Sequence, residues 1–79
     1  MDTSELIKTI RTQLGMSQEA FAKVIHVAFS TVNRWENSRS TPNAMARAWI
    51  VDYCEKNGID KELIDAIKKI HEGGRGDEQ

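Results

Sequence analysis

Between Phe29 and Pro42 the sequence reads FSTVNRWENSRSTP, and within it Ser30, Asn33, Arg34 and Asn37 are the side chains suited to recognition by hydrogen bonding. Laid on a helix at about 100° per residue, these four fall together on one side. Val32, Trp35, Glu36 and Ala28 gather on the other, with Phe29 at the edge of that arc. An Asn carboxamide sets a donor beside an acceptor and matches the major-groove edge of adenine. An Arg fork matches that of guanine, and a Ser hydroxyl bonds a base or a phosphate. No acid shares this polar face. The one acid in the segment, Glu36, falls on the packing side, where a carboxylate is costly unless paired.

Other chemistry is hard to assemble from this chain. It has no nucleophile beside a base, no glycine-rich phosphate loop and no cluster with metal-ligand spacing. His26 and His71 stand far apart, and the lone Cys54 can form neither an internal disulfide nor a metal site; it reads as a small buried hydrophobe. The expectation is a non-enzyme with no cofactor, no metal and no small-molecule ligand. The chain has 79 residues, enough for one small domain whose core would gain from a partner subunit. No apolar run approaches membrane-spanning length, and the first residues lack the basic-then-apolar pattern of a secretory signal. A cytoplasmic protein is therefore expected. The net charge is −1, but residues 8–47 hold six basic side chains against two acidic ones, while the last 20 residues hold four against six. A local basic region attracts phosphates even in a chain near neutrality.

Five helical patterns and no strand account for the rest. The first runs from about Ser4 to Leu14, with Leu6, Ile7, Ile10 and Leu14 on one face, a capping box from Asp2 and Glu5, and Gly15 past its end. Ser17 caps the second, whose apolar face is Ala20, Phe21, Val24 and Ile25. After a short break comes the third, about residues 28–37. The fourth opens with Thr41 as cap and Pro42 in the first turn, and Gly58 ends it. The fifth starts at Asp60 and reaches about His71. A domain over 1–72 and a flexible tail over 73–79 follow from this division. The Arg-Gly-Asp in that tail, Arg75 to Asp77, is a chance match to an adhesion tripeptide.

Two short helices joined by a tight turn suggest a helix-turn-helix, whose second helix enters the major groove. LGMSQEAFAKVIHVAFSTVNRWENSRSTP, read over Leu14, Ser17, Gln18, Phe21, Ala22, Ile25, Val27, Ser30 to Val32, Arg34 to Glu36 and Pro42, resembles the Cro and phage-repressor (XRE) family of helix-turn-helix regulators. The resemblance implies an all-α, compact five-helix bundle of the lambda-repressor-like kind and a sequence-specific DNA-binding regulator, most simply a repressor. It places Phe29, Ser30, Asn33 and Arg34 where such proteins contact bases. Ser17, Gln18, Asn37, Arg39 and Ser40 fall where they meet phosphates. It implies an ion pair between Glu36 and a basic residue of the first helix, and Arg11 is the one beside that helix's apolar face. It further implies double-stranded DNA, a palindromic operator, as partner and a homodimer through helices four and five. An antitoxin or adaptor using the fold mainly for protein contacts is the other reading. Three departures stand out. His26 occupies a turn position where glycine is common, Ala28 a capping position where Ser or Thr is common, and Phe29 a place where a polar reader is common. Two roles are open for Phe29: touching a thymine methyl, or packing back on the protein.

Overall fold

A computed structural model describes residues 1–70. Among these it has five helices and no strand: α1 (Thr3–Gln13), α2 (Gln18–Val24), α3 (Phe29–Glu36), α4 (Ala44–Lys56) and α5 (Lys61–Lys68). His71 and the segment 73–79 lie outside the described residues, as does the expected boundary at 72.

Each start has an identifiable cause. Asp2 accepts from the Glu5 amide while Glu5 reaches back to the Asp2 amide, which completes the capping box of α1. The Ser17 hydroxyl accepts from the Ala20 amide at 3.1 Å. α4 departs from expectation. Its cap is Asn43, whose side chain accepts from the Ala46 amide, and Thr41 and Pro42 precede the helix. Pro42 is instead a fully buried side chain, so its fixed backbone turns the chain inward before the helix begins. α3 has no side-chain cap at Ala28.

Four of the helices end in the same way. After α1, α2, α3 and α4, a residue in the left-handed region follows the cap: Gly15 at φ 71°, His26 at 66°, Ser38 at 61° and Gly58 at 70°. In each case the next amide returns to a carbonyl five residues back, as in Met16 to Arg11 and Val27 to Ala22. This is the Schellman closure, which satisfies carbonyls the helix itself leaves open. At His26 and Ser38 a side chain carries a conformation that glycine adopts freely. The His26 ring compensates by standing edge-on to Trp49, with centroids 4.5 Å apart. That contact ties the α2–α3 turn to α4.

The core is one cluster. Leu6, Ile7 and Ile10 of α1 meet Phe21, Ala22 and Ile25 of the α2 segment, Val32 and Trp35 of α3, Ala46, Ile50 and Cys54 of α4, and Ile64 and Ile67 of α5. α3 lies against both α1 and α2, and α5 against α1 and α4. Two wheel positions differ from expectation. Ala20 is exposed and Ala22 takes its place inside, and Ala28 is exposed because α3 begins one residue later.

Candidate nucleic-acid interface

α3 is two turns long, and its direction is set by what it buries. Val32 is fully buried and Trp35 nearly so, which leaves Ser30 and Arg34 pointing outward and exposed. Phe29 stands at the first position of the helix, outside the buried core and 51% exposed. Asn37 and Arg39 follow on the same exposed rim, and Ser40 is half-buried behind them. Ser17 is exposed at the head of α2, where its oxygen already serves as the cap. Its hydroxyl proton is left to donate elsewhere.

Glu36 is turned inward, with its side chain 3% exposed. Arg11 meets it with two bonds: Nε donates to Oε2 at 2.7 Å and Nη2 to Oε1 at 3.0 Å. Arg11 Nη1 donates to the Met16 carbonyl at 2.9 Å, so one guanidinium joins α1, the link to α2, and α3. Gln18 Nε2 donates to Glu36 Oε1 at 2.9 Å. From there the bonds continue outward. Asn33 Nδ2 donates to Gln18 Oε1 at 3.1 Å, and Asn37 Nδ2 donates to Asn33 Oδ1 at 3.1 Å. Asn37 Nδ2 also lies 2.9 Å from the Asn33 carbonyl oxygen. Arg11, Glu36, Gln18, Asn33 and Asn37 therefore form one connected polar line from the core to the rim of α3. Sequence reasoning paired Arg11 with Glu36 but placed Gln18, Asn33 and Asn37 separately and missed their connection to that pair. The signal was thin, since Gln18 and Asn33 belong to different helices and neither pattern requires the other.

Burial pushes the Glu36 carboxyl up, but the hydrogen bonds from Arg11 and Gln18 and the charges of Arg11 and Lys8 outweigh it, and its pKa lies below the ordinary glutamate value. The same bond raises Arg11, against a smaller effect of burial. A carboxyl with a depressed folded pKa binds fewer protons folded than unfolded, so its stabilisation is complete above the unfolded value. It is lost as pH falls through the folded value. Thermal melts are expected to show stability declining as pH falls through and below the ordinary glutamate range, with a contribution that Glu36→Gln abolishes.

Two helices joined by a closed left-handed turn, the second carrying a polar outer face, define a helix-turn-helix domain. Residues 7–45 match the model of a helix-turn-helix family. The solution structure of the DNA-binding domain of the P22 C2 repressor superposes with a TM-score of 0.66, covering 87% of each chain at 24% identity. At that identity the likeness concerns the fold alone, a five-helix domain that contains a helix-turn-helix. Antitoxin HigA-2 of Vibrio cholerae is 42% identical over 40 residues, which cover 51% of this chain and 38% of the antitoxin. Among the described residues no group of His, Cys, Asp and Glu could hold a metal ion, and no helix is long and apolar enough to cross a membrane.

Proposed function

We propose that the protein is a sequence-specific DNA-binding transcriptional regulator, a repressor acting by occupancy, with α3 in the major groove. One observation carries this reading. The only acid of α3 is turned inward and neutralised by Arg11, which leaves the outward face of Ser30, Arg34 and Asn37 without negative charge. Phosphates would meet Ser17 and Gln18 at the head of α2 and Asn37, Arg39 and Ser40 after α3. The amino end of α2, with its free N–H groups, favours such an anion. The helix-turn-helix match and the repressor-type fold support the same reading. A cytoplasmic location goes with it.

Arg34 is the expected guanine reader. Arg34→Ala should weaken binding by about 1–3 kcal/mol in a mobility-shift titration and relax preference at one base pair. Equal affinity of the wild type and the variant for every duplex would count against α3 as the reading element.

The exposed apolar side chains favour an additional protein contact. Met45 is 70% exposed and Trp49 41%, both on α4. The stripe of α5 contributes less than its sequence suggests, because Ile64 and Ile67 are consumed by the domain's own core. A homodimer would therefore rest chiefly on α4, bringing two copies of α3 to half-sites about 34 Å apart on a palindromic operator. The antitoxin or adaptor reading draws on the same surface and on the partial likeness to HigA-2. The salt dependence of DNA binding separates the two: a steep slope accompanies phosphate contact, and a slope near zero leaves the protein-contact role.

A further inference from the structure

We infer that Glu36, acting through Gln18, fixes which edge of the Asn33 carboxamide faces outward and so sets base preference at one position of the site. This rests on the DNA-reading role of α3. The argument is one of donor and acceptor types. An ionised carboxylate only accepts, and a guanidinium only donates. Glu36 is held by Arg11, so the Gln18 atom 2.9 Å from it has to be the amide nitrogen. The oxygen of Gln18 is then the atom left for Asn33, 3.1 Å away, and it requires the Asn33 nitrogen. The Asn33 oxygen is consequently directed to the Asn37 amide at 3.1 Å. The Glu36 carboxylate, held by Arg11 of α1, thus determines the orientation of two amides in succession.

An unconstrained Asn can rotate by half a turn and exchange its donor and acceptor edges, which blurs what it recognises. Here that exchange would set oxygen against oxygen at Gln18. Asn33 still has one N–H and one lone pair unused, the pair of groups that adenine matches with N7 and its amino group. Gln18 and Glu36 are positioning residues in this scheme, and Asn33 is the reader.

The experiment selects bound duplexes from a randomised pool with the full chain, comparing wild type, Asn33→Ala and Gln18→Met. Met keeps the length of Gln18 and removes both bonds, while the Arg11–Glu36 pair is retained. Asn33→Ala and Gln18→Met are expected to lose preference at the same base pair, by at least about fivefold, with the other positions kept. An unchanged preference pattern for Gln18→Met, with evenly weaker binding, would overturn the inference and leave Gln18 as a phosphate contact. If the wild type enriches no sequence, the DNA-reading role itself fails. A second measurement needs no DNA. In the free protein, the side-chain amide resonances of Gln18 and Asn33 should shift together as Glu36 takes up a proton; independent behaviour would also overturn the coupling.

Discussion

Arg11→Ala is expected to destabilise the domain by about 3–5 kcal/mol, as for removal of one partner of a buried pair. In a domain of this size that lowers the melting temperature by about 12 °C or more. The loss exceeds that of an ordinary surface ion pair, which contributes about 0–1 kcal/mol, because of what stays behind. Glu36 would keep only the single bond from Gln18, and the Met16 carbonyl would lose its donor. The variant also carries a signature that loss of packing alone would not give. With Arg11 gone, burial dominates and the Glu36 pKa rises above its unfolded value, so the folded state binds the extra proton. The stability of the variant should then increase as pH falls towards that pKa, opposite in sign to the wild type. Denaturant titrations at several pH values check both the size and the reversal, and an unchanged midpoint at neutral pH would remove the clasp as a stabilising element.

Trp35→Ala is the second large effect, at about 3–5 kcal/mol for deletion of a buried aromatic side chain. Trp35 is 3% exposed and sits on the inner face of α3, next to Glu36 in sequence and within the core shared by all five helices. Its removal leaves a cavity beneath α3, in the packing that holds that helix against the core. Total stabilities of small domains are about 5–15 kcal/mol, so the variant should be partly unfolded near physiological temperature. Calorimetry would show this directly. Any loss of DNA binding by Trp35→Ala should recover on cooling towards its temperature of maximum stability, whereas Arg34→Ala should bind poorly at every temperature.

Much of this architecture was legible in the residues. Gly15, Gly58 and the capping pattern of Asp2 and Glu5 delimit helices because their physics is local: a backbone sign, or an oxygen three residues from an amide. The Arg11–Glu36 geometry was approachable from the resemblance together with the cost of an unpaired acid on an apolar face. Other features depend on distant neighbours. Asn43 caps α4 while Pro42 is drawn into the core; the first-turn preference of proline pointed to Thr41, against the higher intrinsic cap ranking of Asn. Phe29 lies at the first position of α3 and is half exposed, which the helical wheel alone does not decide. Ser38 in the left-handed region is invisible to propensity, since only the closure of α3 onto the Arg39 amide demands it. The line from Gln18 to Asn33 and Asn37 needed the relative placement of two helices before donor and acceptor types could be assigned along it.

Cys54 lies at the meeting of α4 with the core, with no exposed surface, and burial, assisted by Glu55, pushes its thiol up to about 11. At neutral pH it is therefore neither ionised nor reachable in the closed fold. A thiol reagent can modify it only in molecules whose helices have parted. As the chain contains a single cysteine, its modification reports opening of the core: with a reagent that reacts faster than the core recloses the rate equals the opening rate, and with a slower one it follows the open population.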